Sequence, residues 1–339
     1  MADKEKKRLD DINPRAWEHP ADRAALSALK QLPQLDNLVR ALVGNTTEKS
    51  FRLISLASAV RVSERQFPLV NRLVQDACYV LDWREKPEIF VSQSPLLNAG
   101  CIGVDKPFIT LNSVLLEMLS EQELLAVISH ELAHIMSGHV LYKTLLFMLM
   151  NVSQIALSIP ITGLALQAIV AALKEWDRKS ELSADRASLL VLQEDIPVYG
   201  LLMKVAGGHH EGMNLEEFFV QAQEYEEGGT VLDSVHKLLN LLGQTHPFAV
   251  LRLKELKSWV DLGAYAKILG GDYTKRSDSG DFAKDFEEAR QSYKEEVESS
   301  KDPLAEIFTR LGKGLEETGK QAGKQVDEIF RSIFGGGKT

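Results

Sequence analysis

Cysteine is scarce in this chain: Cys78 and Cys101 are the only two in 339 residues. No C-x-x-C spacing exists, so a disulfide-stapled miniprotein is excluded and the two thiols read as reduced, small apolar side chains. An excess of positive charge is also missing. Lys and Arg number 39 against 48 Asp and Glu, a formal net charge of −9. Nucleic acid is therefore excluded as the main partner, because phosphate binding needs a basic surface. The opening stretch MADKEKKRLDDINPRAWEHP holds no apolar run, so a cleaved secretory signal is not expected. The chain is expected to be cytoplasmic rather than secreted. Long apolar runs are absent elsewhere too, with one exception, and this excludes a polytopic membrane protein.

What is present is ordinary globular composition, 45% apolar and 26% charged. DRAALSALKQL, LDNLVRALVG and FPLVNRLVQDACYVL space their apolar residues at three and four, which predicts helices over much of 20–83. A short β region follows. Glu88–Ser92 is rich in strand formers, and Asn98–Val104 and Pro107–Leu111 flank Asp105-Lys106 as a hairpin turn. From Ser113 to Leu262 the periodicity is helical, with Glu121, Gln122 and Glu123 suited to a helix N-terminus. At Gly270 the composition turns to a linker. The expected division is an N-terminal helical extension 1–49, a core 50–269, and a linker with a charged helical tail 270–339. The fold class is α+β, predominantly helical, with a small β-sheet.

The chemistry is concentrated in His130-Glu131-Leu132-Ala133-His134. Positions four apart on a helix share a face, so both imidazoles can meet one metal ion, and Glu131 projects beside them as a general base for water. A third ligand is needed. His139 is rejected, since nine residues at ~100° each put it half a turn off that face while the helix continues. Ser137 also stands where the longer H-E-x-x-H-x-x-G-x-x-H pattern has glycine. Glu181 is the better candidate. Asp185 lies one turn beyond it, placed to hydrogen-bond a ligand imidazole.

With these motifs the chain resembles the gluzincin zinc metalloproteases of metallopeptidase family forty-eight, the family of the HtpX heat-shock protease and the CAAX prenyl endopeptidase. The resemblance covers roughly 50–262. It rests on Asn98-Ala99, on PFITLNSVLLEMLSEQELLAVISHELAHIMSGH, on SELSADR, and on His246-Pro247 with Arg252. It implies a zincin-like core and a zinc endopeptidase with one Zn2+ on His130, His134 and Glu181 and with Glu131 as base. It further implies that Asn98, Ala99, Gly100 and Cys101 lie on an edge strand which a protein or peptide substrate joins by β-augmentation, as an extended chain in need of backbone partners would. His246 is expected either to hydrogen-bond the oxyanion or to approach the metal and hold the enzyme latent, unless it only caps the helix after Pro247. Arg252 is expected to be structural or a partner of Asp185. Unfolded or extended segments are the implied substrates, and membrane-protein quality control the implied setting. The alternative is a membrane-associated scaffold or adaptor with a latent or vestigial zinc site.

The exception to the lack of apolar runs is Thr144–Leu173, which carries no charge. His134 precedes it and Glu181 follows it, so a single crossing would separate two ligands of one ion. The expectation is a hydrophobic helical hairpin over 144–173, broken at Ile159-Pro160, whose arms extend the His130 and Glu181 helices. Lys143, Lys174, Arg178 and Lys179 mark its base on one cytoplasmic face. It either dips into a membrane or packs into protein or a homo-oligomer interface. Residues 303–334 repeat Leu304, Phe308, Leu311, Leu315, Ala322, Val326, Phe330 and Ile333 close to an eleven-residue period, a second candidate for membrane contact or helix docking.

Overall fold

Residues 6–30, 45–151, 163–208, 211–227 and 248–278 are described in a computed structural model. In chain order the elements begin with α1 (Pro20–Lys30), α2 (Asn45–Ser58), β1 (Val60–Arg61) and α3 (Pro68–Val80). Next come β2 (Glu88–Ser92), β3 (Ala99–Ile102), β4 (Phe108–Asn112) and α4 (Ser113–Met118). The centre of the chain forms α5 (Glu121–Met136), α6 (Val140–Asn151) and α7 (Gly163–Leu192). The rest comprises α8 (Ile196–Gly207), α9 (Leu215–Glu227), α10 (Ala249–Asp261) and α11 (Ala264–Gly270). The fold is α+β and mainly helical, with one small mixed sheet.

The sheet order is β1-β2-β4-β3. β2 and β4 run parallel, while β3 returns antiparallel on β4 with Ala99 opposite Leu111 and Cys101 opposite Ile109. The expected hairpin at Asp105-Lys106 is therefore present, and β3 is an edge strand. Glu48 on α2 fixes its turn by accepting from the amides of Val104, Asp105 and Lys106 at 2.7, 2.9 and 3.0 Å.

The central packing is α5 on α7. Small residues let the two backbones approach: Ala126 and Ala133 on α5, Ala184 and Ala187 on α7, all buried. The Ser188 hydroxyl donates to the Ala126 carbonyl at 2.8 Å across the pair. A capping box starts α5, with Ser120 Oγ accepting from the Glu123 amide and the Glu123 carboxylate accepting from the Ser120 amide.

Three features of the structure bear on these expectations. The first arm of the uncharged stretch does not extend the His130 helix. α5 stops at Met136, and Gly138 takes φ +70°, a left-handed turn suited to glycine. α6 then leaves at 98° to α5. The second arm does continue into the Glu181 helix, since α7 is one helix of 30 residues. One face of α6 (Leu145, Leu146, Met148) packs with Leu26 of α1 and Trp176 of α7, while Phe147 and Met150 are exposed. No single helix among the described residues is long and apolar enough to cross a membrane.

Second, the N-terminus is built into the core. Leu9, Ile12 and Trp17 are fully buried in the cluster that holds Leu73, Ile109 and Leu190. Third, the start of the expected linker is pinned to that segment. Asn13 donates to the Thr274 carbonyl at 3.0 Å, and Arg276 reaches both Asp11 and Asp82. The tail 303–334, the break at Ile159-Pro160, and His246 lie outside the described residues.

Candidate metal centre

His130 and His134 sit one turn apart on the buried face of α5, and α7 brings Glu181 against them. The three side chains form a triangle in which Glu181 meets each imidazole through a different carboxylate oxygen. His130 Nε2 is 3.2 Å from His134 Nε2 and 3.2 Å from Glu181 Oε2, and His134 Nε2 is 3.2 Å from Glu181 Oε1. Ligands at about 2.0–2.1 Å around a tetrahedral zinc are separated by roughly 3.3 Å, so the donor spacing and the donor chemistry both fit. Glu131 adds a second sign of fit. It is buried, and its Oε2 has no hydrogen-bond partner, which is a costly state unless a further group belongs there.

Each ligand has a support. Asp185 Oδ1 lies 3.1 Å from His130 Nδ1, which leaves Nε2 turned to the triangle. Arg252 on α10 closes on the same carboxylate from the other side. Lys143, expected at the membrane base, is turned inward instead, with Nζ 2.7 Å from Asp177 and 2.8 Å from Glu181 Oε1. Its ammonium is drawn in because two buried carboxylates wait on α7.

The electrostatics divide the two imidazoles. Burial opposes charge on His130, but Glu181 and Asp185 outweigh it and bring its pKa up to about 9. Burial and the Lys143 ammonium push His134 far down, so it stays neutral. Burial also raises the Glu131 carboxyl, only partly offset by His130 and Lys143, as suits a group that must accept a proton. Burial likewise opposes ionisation of Asp185, yet Arg252 holds its carboxyl below the usual range.

The sheet edge lies beside this site. The Cys101 thiol reaches the Glu131 carboxyl, and burial raises its pKa well above the ordinary thiol value. Along β3, pairing of the Asn112 amide with the Asn98 carbonyl at 3.2 Å fixes the alternation. Asn98, Gly100 and Ile102 face β4, whereas Ala99, Cys101 and Gly103 turn their amides and carbonyls outward. Thr144 Oγ1 already takes the Gly103 amide at 3.2 Å. Ala99 and Cys101 therefore present the outward-facing backbone groups of the edge.

A family model described as "Peptidase family M48" matches residues 64–260. The chain belongs to peptidase family M48. It is thus a metallopeptidase, a hydrolase of peptide bonds that uses a metal, and His130, His134 and Glu181 form its possible metal site. A curated relative, the "Plastoglobule-localized metallopeptidase 48, chloroplastic" of Arabidopsis thaliana, is 32% identical over 270 residues, 76% of each chain. No solved structure matches significantly. The M48 span begins just before α3 and ends within α10, so α1 and α2 lie outside it.

Sequence reasoning brought together His130, Glu131, His134, Glu181 and Asp185, and of its two readings of Arg252, structural or a partner of Asp185, the structure shows the contact with Asp185. It missed Lys143 and the surroundings of His139. Gly138 was the available signal, since a glycine after a run of helix marks a stop and voids the assumption that the helix continues.

Proposed function

We propose that the chain is a zinc-dependent endopeptidase with a gluzincin core, acting on extended or unfolded protein segments. The observation that carries this is the 3.2 Å triangle of His130, His134 and Glu181 beside the unpartnered Glu131 Oε2. Zinc, when bound there, polarises water and the scissile carbonyl. Glu131 takes the proton of the attacking water and returns it to the leaving amine. Asp185 and Arg252 keep His130 aligned. The substrate lies antiparallel or parallel along β3 and pairs with the outward backbone of Ala99 and Cys101, which aims its next carbonyls at Glu131.

Membrane proteins are the proposed substrate source. Phe147 and Met150 on α6 and Leu53 and Ile54 on α2 are exposed, and the two helices meet through the rings of Phe51 and Phe147 at 5.9 Å. This apolar face adjoins the uncharged stretch that leads into 152–162, and supports contact with a lipid surface. Flotation with vesicles, comparing the full chain with a variant lacking 145–172, tests that part.

The enzymatic reading is tested by casein cleavage with zinc content measured in parallel. Wild type is expected to cleave, and Glu131→Gln to lose at least about a hundredfold in rate while holding zinc. Equal cleavage by both would overturn the assignment of Glu131.

A further inference from the structure

The metal site has an asymmetry. His130 meets its carboxylate, Asp185, directly. His134 meets another imidazole: its Nδ1 is 3.0 Å from Nδ1 of His139. His139 Nε2 in turn lies 3.2 Å from Oδ2 of Asp22, in an oblique approach. Asp22 belongs to α1, outside the M48 span. The three residues are at most 1% exposed.

We propose that Asp22 and His139 form an outer pair that positions His134 for the metal, which makes α1 a working part of the centre. The inference rests on the reading of His130, His134 and Glu181 as metal ligands. Hydrogen-bond directions along the chain of residues leave little choice. His134 must keep the lone pair of Nε2 for the triangle, so its hydrogen is on Nδ1 and is donated to His139. His139 then accepts at Nδ1 and carries its own hydrogen on Nε2, facing Asp22. Asp22 Oδ2, 3.2 Å away, is the carboxylate oxygen this nitrogen faces, an ion-pair distance whose angle falls short of a hydrogen bond, and a carboxylate there favours this tautomer. Asp22 is itself held as an anion in the interior by the Ser183 hydroxyl at 2.5 Å and the Trp176 indole at 3.0 Å, both from α7. Ser183 Oγ also accepts the His19 amide at 2.8 Å, which ties the start of α1 to the same helix. Trp176 also packs on His139 in a T-shaped contact, with ring centroids 5.6 Å apart. An apolar residue at 22 would pack against α7 without desolvating a charge.

Such outer partners of a ligand imidazole contribute about 10–100-fold in metal affinity. The test uses the full chain, stripped of metal, with zinc affinity measured by competition against a chromophoric chelator and with the visible spectrum of the cobalt(II) form. Asp22→Asn and His139→Leu are expected to weaken zinc about 10–100-fold and to shift the cobalt bands. His139→Asn keeps an acceptor where Nδ1 stood and is expected to recover most of the loss relative to His139→Leu. Asp22→Glu is expected to rescue partly. Thermal melts of the metal-free proteins separate folding from ligation. Variants that melt lower yet bind zinc with wild-type affinity and an unchanged cobalt spectrum would reduce the pair to packing and overturn the proposal. Glu181→Gln is the control for the centre itself. Wild type and Glu181→Gln taking up metal alike would overturn the ligand assignment, and the outer pair with it. A loss confined to Asp22 and His139 variants cannot be confused with that result.

Discussion

Arg252 grips Asp185 with two parallel hydrogen bonds, Nε to Oδ2 at 2.8 Å and Nη2 to Oδ1 at 2.6 Å. The fork is buried, and Arg252 Nη1 also stands 3.5 Å from Glu181 Oε2. One guanidinium therefore balances two carboxylates, Asp185 behind His130 and Glu181 against both imidazoles. Removing it leaves Asp185 buried with only the His130 imidazole to offset its charge.

Arg252→Met is accordingly expected to destabilise the fold by about 3–5 kcal/mol, a fall in Tm of roughly 10 °C. Arg252→Lys keeps the charge but not the fork, and is expected between the two. Thermal unfolding in the presence of excess zinc measures this. A Met variant that melts with wild type would show that the fork contributes nothing.

Metal affinity should depend on pH through His130. Its folded, metal-free pKa is about 9, raised from roughly 6.5. The folded chain thus holds a proton that the unfolded chain has lost. The stability this gives is complete below about 6.5 and is lost as pH rises to about 9. Zinc must displace the same proton, so affinity is expected to rise about tenfold per pH unit up to about 9 and then level. Chelator competition across that window reads the slope; a flat profile would contradict it.

The register of β3 makes a paired prediction. Ala99→Pro deletes an amide that faces away from β4, whereas Gly100→Pro deletes one that β4 uses. The first is expected to lower kcat/KM about fivefold, one lost hydrogen bond of ~1 kcal/mol, with little change in Tm. The second is expected to lower Tm by several degrees, since one ladder bond of about 1 kcal/mol and the strand geometry go together. Peptide kinetics beside thermal melts distinguish them, and equal effects in both assays would refute the register.

Ser120→Ala removes half of the capping box at the start of α5. A loss of about 1 kcal/mol is expected, with zinc stoichiometry unchanged because the site lies three turns further on. Denaturant unfolding and metal analysis check the two halves of that statement.

How much could be read from residues alone follows from how local each feature is. The H-E-x-x-H helix and the E-x-x-x-D helix are periodic patterns within one turn, and the Asp105-Lys106 hairpin is a short-range turn signal; all three stand as expected. Edge position was legible only through resemblance, because strand order depends on contacts between distant segments. The 98° corner after α5 was lost to an assumed continuity that one glycine breaks. Lys143 looked like a headgroup anchor because its neighbours are uncharged, and its partners Asp177 and Glu181 lie over thirty residues away. Asp22 had no signal at all: a lone acid in an amphipathic helix is indistinguishable from a solvated one until α7 is folded over it.

The length of α7 has a mechanical meaning. From Gly163 to Glu181 the helix is unbroken, a rod of about 27 Å at 1.5 Å per residue. From the Gly163 end to the carboxylate the backbone has no break. The neighbouring α6 instead meets α5 at a corner. A displacement of the Gly163 end would therefore reach Glu181 as a shift of one continuous helix rather than be taken up at a bend.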